Sequence, residues 1–169
     1  VAFWVKLNAI GSYNQIFIDN RVYLVSGWGV YSDYNGNLRL ISEKAGAESG
    51  STFLATAGTT NVYHLAFTWD TATWICYVNG KQVSTFPGGS YVAGNQPITL
   101  LNFCTASITD LAYWYRTLSA AEVFQVYYHS LQGNVGLLNR TRPMWRFPSQ
   151  FSASASANIA GSGTVIRAA

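Results

Sequence analysis

Residues 62–86 read VYHLAFTWDTATWICYVNGKQVSTF, and this stretch decides the fold class. Its first eight residues alternate between a strongly apolar face and a mixed face, which predicts a strand in a sheet that is packed on one side only. Asn79-Gly80 separates two further alternating runs, and a type I′ turn requires positive φ at both of its central residues. The stretch therefore predicts a strand followed by a tight two-stranded hairpin.

Comparable runs recur along the chain at a spacing of about 8–12 residues, with Gly, Asn, Asp or Ser between them. This spacing predicts an all-β sandwich or barrel. Residues 62–69, 73–78 and 81–86 are the three strands of the quoted stretch. The other predicted strands are residues 2–8, 14–18, 21–26, 37–42, 51–57, 97–103 and 108–115.

One helix is predicted after the last of these strands. Ser119 and, three residues later, Glu122 form a capping box, and apolar side chains follow at helical spacing as far as Leu131. Gly133 is the predicted end signal. The pattern predicts one short helix that packs against the sandwich.

The composition excludes several classes of protein. Charged residues make up 10% of the 169 residues and aromatic residues 15%, which is too apolar for a disordered chain. The net charge of +3 is not gathered into a Lys/Arg stripe, so we expect no nucleic-acid partner. No apolar run reaches the roughly 18 residues of a membrane span. Cys76 and Cys104 lie in apolar runs and are predicted to be buried hydrophobic residues, which leaves the redox compartment open.

The composition changes after the helix, which predicts a sandwich domain over residues 1–138 and an extended arm rich in Ser, Ala and Gly over residues 139–169. Two interpretations of the arm stay open. It is either a linker or a segment that docks on a neighbouring subunit, since Arg and Trp are frequent at interfaces. The candidate assembly residues are Arg142, Trp145, Arg146 and Phe147.

Three strings occur in the order of one known family. They are AFWVKL (2–7), LAFTWDTATWICYVNGKQVSTF (65–86) and ITDLAYWYRTLSAAEVFQVYY (108–128). Together they resemble the laminin-G-like branch of the concanavalin A-like lectin/glucanase superfamily. The string LLNRTRPMWRF (137–147) is similar, with altered spacing, to the ending of laminin-G-like proteins of bacteriophages and prophages.

The resemblance implies a jelly roll of two antiparallel sheets. It also implies a strand that precedes the strand of Trp4 and that lies upstream of Val1, so we expect a longer natural chain. Without that strand one sheet edge is open. The segment after the helix, or a partner chain, is expected to occupy this edge.

The resemblance offers little support for a metal or for catalysis. The acidic pair in the family's closing strand is reduced to Asp110, with Thr109 in the other place, so Asp110 is a calcium candidate with too few carboxylate ligands and we expect no cofactor. Glycoside hydrolases need two carboxylates around the scissile bond, and no predicted strand carries two acids at i, i+2 spacing. His64 and His129 have no recognisable Ser or Cys partner. We therefore expect no enzyme.

Sugar recognition commonly uses an aromatic platform with amide and carboxylate groups nearby. The Gly-rich stretches GWGVYSDYNGN (27–37) and GGSYVAGNQ (88–96) offer such groups. In the alternative interpretation Trp28 and Tyr31 are core residues and DYNGN is a hairpin turn. The candidate ligand-binding residues are Trp28, Tyr31, Asp33, Tyr34, Asn35, Tyr91 and Asn95, with Gln96 beside them.

These observations predict a non-catalytic recognition or attachment module. The expected partner is a carbohydrate or a glycosylated surface, and the expected setting is a larger assembly such as a phage virion, at an extracellular or virion surface. One alternative is a capsid or assembly protein without a ligand. The other is an enzyme similar to glycoside hydrolases.

Overall fold

The computed structural model describes residues 1–22, 26–44, 47–70, 72–87, 98–132, 145–147, 151–153 and 164–166. These residues form thirteen strands in two antiparallel sheets, with one helix, α1 (Ala120–Leu131). The strands are β1 (Ala2–Leu7), β2 (Gln15–Asp19), β3 (Ser26–Ser32), β4 (Asn37–Lys44), β5 (Ala47–Thr56), β6 (Val62–Trp69), β7 (Thr73–Val78), β8 (Lys81–Pro87), β9 (Ile98–Asn102), β10 (Ala106–Tyr113), β11 (Trp145–Phe147), β12 (Phe151–Ala153) and β13 (Thr164–Ile166).

The two sheets face each other across the main hydrophobic core. One has seven strands in the order β11-β10-β1-β6-β7-β8, with β12 also paired to β10. The other has six strands in the order β13-β9-β2-β3-β4-β5. Alternate side chains of both sheets, among them Phe3, Phe17, Leu40 and Leu65, fill the space between them. The predicted two-sheet antiparallel sandwich is confirmed.

The Asn79-Gly80 hairpin is also confirmed. Asn79 has φ 51° and Gly80 has φ 75°, as a type I′ turn requires. The backbone N–H of His64 donates to Asn79 Oδ1 over 2.9 Å, which ties the turn to the neighbouring strand. A Cβ on Gly80 would lie 2.8 Å from the ring of Tyr127, so the turn also packs closely on the helix.

One expectation about β6 is wrong. Its mixed face was predicted to face away from any packed layer, but His64 is 1% exposed and Thr68 is buried as well. A second hydrophobic cluster lies on this side, between the seven-stranded sheet and α1. The small side chains of Ala2, Ala66 and Ala112, which pair across three strands, leave a flat area on which the helix lies.

The capping box of α1 is confirmed. Ser119 Oγ accepts from the backbone N–H of Glu122, and the backbone N–H of Ser119 donates to Glu122 Oε2 over 2.9 Å. Arg116 donates to both oxygens of the same carboxylate, and this contact is the main cause that lowers the pKa of Glu122 to about 2. Val123 and Val126 are buried against the sheet, whereas Gly133 lies outside the described residues.

The predicted strand at residues 21–26 differs from the strand that the structure describes. An isolated bridge pairs Val22 with Ser26, residues 23–25 lie outside the described residues, and the next strand runs from Ser26 to Ser32. The glycines at positions 27 and 29 favoured a loop in the sequence. In the structure Trp28 and Val30 alternate with them and point into the core, so the glycines belong to a strand.

Three short strands of the predicted arm pair with the sandwich of their own chain. β11 and β12 pair with β10 at one edge of the seven-stranded sheet, and β13 pairs with β9. Trp145, Arg146 and Phe147 form β11, whereas Arg142 lies outside the described residues. These strands satisfy backbone groups of their own sheets, so docking of the arm on a neighbouring subunit stays a prediction.

Both cysteines are buried and free, as predicted for small hydrophobic residues. Burial raises the pKa of the Cys76 thiol and of the Cys104 thiol to about 12, which keeps both protonated at neutral pH. In the part of the chain that the structure describes, no helix is long and apolar enough to cross a membrane.

Candidate binding surface

The outer face of the six-stranded sheet carries the side chains that are best placed for binding. In β4, Leu38 and Leu40 point into the core, so Arg39 between them points outward. The same alternation in β3 places Tyr31 on the outer face. In β5, Leu54 points inward and Phe53 outward.

Strand register brings three of these side chains into one row. Tyr31 pairs with Arg39, and Arg39 pairs with Phe53. Directly opposite residues on one face have Cβ atoms about 4.5–5.5 Å apart. Phe53 is 49% exposed and Tyr31 is half-buried, so Arg39 is flanked in the sheet by one open and one partly covered aromatic residue. We call Tyr31, Arg39 and Phe53 the Arg39 row.

Asp33, at the end of β3, fixes the arginine of this row. Its Oδ1 accepts from the backbone N–H groups of Asn35 and Asn37, and its Oδ2 accepts from Asn37 Nδ2 and Arg39 Nε, all at 2.9–3.0 Å. Burial alone would raise the pKa of Asp33, but the bonds from Asn37, Arg39 and Asn35 outweigh it and lower the pKa to about 2. The carboxylate therefore stays ionised and holds Arg39 at neutral pH.

Arg39 retains donors for a ligand. Only its Nε is bonded to Asp33, and its two Nη atoms make no hydrogen bond to the described residues. Its side chain is 33% exposed. A guanidinium that is held on one side and open on the other is suited to bidentate recognition of a carboxylate, sulfate or phosphate group.

A second arginine on the same face is fully engaged within the protein. Arg21 Nε and Nη2 donate to the two oxygens of Asp19, and Nη1 donates to Glu43 Oε1 over 3.0 Å. The arginine lies across Gly29, where a Cβ would be 2.9 Å from Arg21 Nε, and a Cβ on Gly27 would be 2.6 Å from Arg21 Cα. The two glycines thus make room for a charge cluster that connects Asp19 of β2 with Glu43 of β4.

The structure corrects the sequence prediction for Trp28. Its indole is 4% exposed and lies 6.2 Å from the ring of Trp74 in the core, so it offers no platform to a ligand. The alternative interpretation, a core residue, is confirmed. Its neighbours Tyr31, Asp33, Tyr34 and Asn35 lie in or next to the β3–β4 hairpin, and Tyr34 is 64% exposed.

The sequence DYNGN does form a hairpin turn. Gly36 has φ 77°, and its N–H donates to the carbonyl of Asp33. A turn role does not remove Tyr34 and Asn35 from the surface, since both are exposed in the turn that joins the strands of Tyr31 and Arg39. Tyr91, Asn95 and Gln96 lie outside the described residues.

Asp110, the calcium candidate, lies at a bulge of β10 opposite β1 and has φ 52°. Within the described residues, no group of three or more His, Cys, Asp or Glu side chains is arranged to hold a metal ion. The bulge explains the unusual backbone angle at this position, because a β-bulge inserts an extra residue into one strand.

Two members of the Arg39 row were not found from the sequence. The strands that contain Arg39 and Phe53 were predicted, and the alternation in LRL already placed Arg39 away from the core. Their pairing was not predictable, because the register between β4 and β5 shifts at a bulge between Leu38 and Arg39. The alternation of apolar and polar residues was visible in the sequence, but the pairing of Arg39 with Phe53 could be seen only in the folded sheet.

The chain belongs to the concanavalin A-like lectin/glucanases superfamily, because the superfamily's Laminin_G_3 model matches residues 1–124. No curated protein matches the sequence. The prediction of a laminin-G-like domain is confirmed.

Solved structures share the fold at low sequence identity. The binding domain of Paraclostridial Mosquitocidal Protein 1 is 13% identical at a TM-score of 0.56, over 75% of this chain and 35% of that chain. The ligand-binding domain of botulinum neurotoxin serotype D, in complex with N-acetylneuraminic acid, is 17% identical at 0.54, over 77% and 36%. The CBM40 of a Ruminococcus gnavus IT-sialidase, bound to α2,3-sialyllactose, is 10% identical at 0.51, over 75% and 80%. The chain thus spans about a third of the toxin domains.

Proposed function

We propose that this domain is a non-catalytic recognition module that binds carbohydrate on the outer face of its six-stranded sheet. The Arg39 row is the observation that carries the proposal, because it combines aromatic rings with a fixed and partly open guanidinium. The ligands named for two solved structures of this fold, N-acetylneuraminic acid and sialyllactose, support an acidic sugar as the ligand class.

Each part of the surface has a role in this proposal. The Nη groups of Arg39 donate to the carboxylate of the sugar, and Asp33 keeps the guanidinium in place. Phe53 and Tyr31 pack against the apolar side of the sugar ring. Tyr34 and Asn35 supply a hydroxyl and an amide at the rim. Tyr91 and Asn95 stay predicted contributors.

The carboxylates of this surface are suited to structure rather than to acid–base chemistry. Asp33 has a pKa of about 2, and a general acid needs a pKa close to the working pH. Asp19 and Glu43 both accept hydrogen bonds from Arg21. The proposed role is therefore binding without hydrolysis, at the outside of a cell or particle where glycans are displayed.

Isothermal titration with α2,3-sialyllactose and with lactose tests the proposal. We expect Arg39→Gln to weaken binding of the sialylated sugar by about tenfold or more, since a charge-assisted bidentate contact is lost. Lys81→Gln is the matched control, because Lys81 is an exposed cation in the β7–β8 hairpin of the other sheet. Equal affinity of wild type and Arg39→Gln, or absence of binding in a glycan array, would contradict the proposal.

Membership of a larger assembly, such as a phage virion surface, stays a separate prediction. Light scattering of the complete chain tests it directly. A stable oligomer is expected if neighbouring subunits dock through the arm. A monodisperse monomer would count against it, and the strands β11, β12 and β13 would then serve only their own sandwich.

A further inference from the structure

A groove of about 250 Å³ lies on the opposite side of the sandwich, on the outer face of the seven-stranded sheet. Two rows of paired residues form its floor. Lys6 lies between Val62 and Ser107, and Trp4 lies between His64 and Thr109. We call this depression the Trp4 groove. Its lining residues are Trp4, Val5, Lys6, Asn8, Val62, Ser107 and Thr109.

Trp4 is held in a fixed orientation by the helix. Its Nε1 donates to Ser130 Oγ over 3.0 Å, and Ser130 Oγ donates in turn to the carbonyl of Tyr127 over 2.8 Å. The indole also contacts the rings of His64 and Tyr127, with centroids 5.2 and 5.7 Å away. The helix side of the indole is thus packed, and the ring forms a preorganised wall of the groove.

Three polar side chains of the groove, Lys6, Thr109 and Asn8, have unused hydrogen-bonding capacity. Lys6 is exposed, is the one charged residue of the lining, and makes no ion pair with the described residues. The Thr109 hydroxyl makes no hydrogen bond to them. Asn8 Nδ2 donates to Ser107 Oγ over 3.2 Å, which positions the amide at the rim. The groove is therefore cationic and contains several hydrogen-bonding groups around one aromatic ring.

We propose that the Trp4 groove is a second ligand site, which takes a single acidic sugar residue. Its volume lies below the usual range of about 300–1,000 Å³ for drug-sized ligands, so one monosaccharide fits better than a peptide or an oligosaccharide. Trp4 packs against the ring C–H groups, Lys6 binds the acidic group, and Thr109 and Asn8 bond ring hydroxyls.

This site is independent of the Arg39 row, because the two lie on opposite outer faces of the sandwich. Two stacked sheets are about 10 Å apart before outward side chains are added, so one short glycan does not reach both sites. The module would thus bind two separate glycan ends. Such bivalent attachment raises the avidity for a glycosylated surface above the affinity of either site.

The test follows the Trp4 indole N–H signal by NMR in the Arg39→Gln protein, in which the first site is silenced. N-acetylneuraminic acid and glucuronic acid are the probes, and glucose is the neutral control. We expect both acids to shift the signal, and Lys6→Gln to weaken the effect by about tenfold. Thr109→Val should weaken it less, since one hydroxyl is lost. Trp4→Phe identifies the signal, and circular dichroism verifies that each variant is folded.

The outcomes separate the two proposals. A Trp4 signal that no acid shifts, or that shifts equally after Lys6→Gln, overturns the groove as a site and leaves the Arg39 row unaffected. A Trp4 shift that persists in Arg39→Gln, together with unchanged titration of wild type and Arg39→Gln by sialyllactose, supports the groove and overturns the proposed function of the Arg39 row.

Discussion

The two outer faces of the sandwich differ in what fills the space above their smallest residues. On the seven-stranded sheet, Ala2, Ala66 and Ala112 form a flat apolar patch, and α1 lies over it. On the six-stranded sheet, Gly27 and Gly29 leave room for the side chain of Arg21.

The difference shows how small residues determine which group packs on the outer face of a sheet. An alanine patch gains stability when another apolar element covers it. A glycine gap beside two carboxylates instead accommodates a guanidinium, and the face stays polar. Ile41, which is buried outside both hydrophobic clusters, lies on this face among such side chains. The Arg39 row consequently stays accessible to solvent.

The largest effect is expected where the charge cluster is broken. Arg21→Met removes the guanidinium that forms ion pairs with Asp19 and Glu43, and Glu43 is only 2% exposed. Losing one partner of a buried ion cluster costs about 3 kcal/mol of the free energy of unfolding. Urea denaturation followed by tryptophan fluorescence measures this loss.

The double variant Arg21→Met with Glu43→Leu serves as the control. It should recover part of the lost stability, because the buried carboxylate is removed together with its partner. Arg21→Met alone should unfold at a lower urea concentration than the wild type. Equal urea midpoints would show that the cluster does not stabilise the six-stranded face, and they would contradict the contrast between the two faces.

Local signals in the sequence predicted the parts of the fold that depend on near neighbours. The Asn79-Gly80 turn and the Ser119 capping box each depend on residues within one turn of the chain. The site depends on distant pairing. Trp28 was predicted to lie at the surface because its flanking glycines are typical of a loop, but it is buried. The Asp33 carboxylate was predicted to contact a ligand, and in the structure it accepts a hydrogen bond from Arg39.

The next effect concerns the covered face and its buried histidine. Burial lowers the pKa of His64 to about 3, and its Nδ1 makes no hydrogen bond to the described residues. An unfolded chain binds this proton at about pH 6.5, so the unfolded state holds more protons than the folded state between about pH 6.5 and 3. The free energy of unfolding therefore decreases as the pH is lowered through this window, by up to about 1.4 kcal/mol per pH unit.

Denaturation at about pH 7.5 and 5 measures this slope, and His64 should account for about 2 kcal/mol of the loss. His64→Phe keeps a ring against Trp4 and Tyr127 but cannot bind the proton. The variant should lose this share of the slope, whereas the buried Val1 α-amino group, whose pKa burial lowers to about 5, contributes in both proteins. Asp33 and Glu122, whose pKa values are about 2, lose their contribution only at lower pH. A slope that survives His64→Phe would assign the pH dependence to other groups.

The smallest effect tests whether α1 is an integral cover of the seven-stranded sheet or a loosely attached one. Ser119→Ala removes the cap hydrogen bond to the Glu122 N–H and should cost about 1 kcal/mol, whereas Ser119→Asp retains a capping oxygen. Because Val123 and Val126 share a hydrophobic cluster with the sheet, the loss should appear in global unfolding. Hydrogen exchange decides the question. Faster exchange in α1 alone, with β6 unchanged, would show that the helix opens independently. The Trp4 groove, whose wall depends on Ser130, would then open together with the helix.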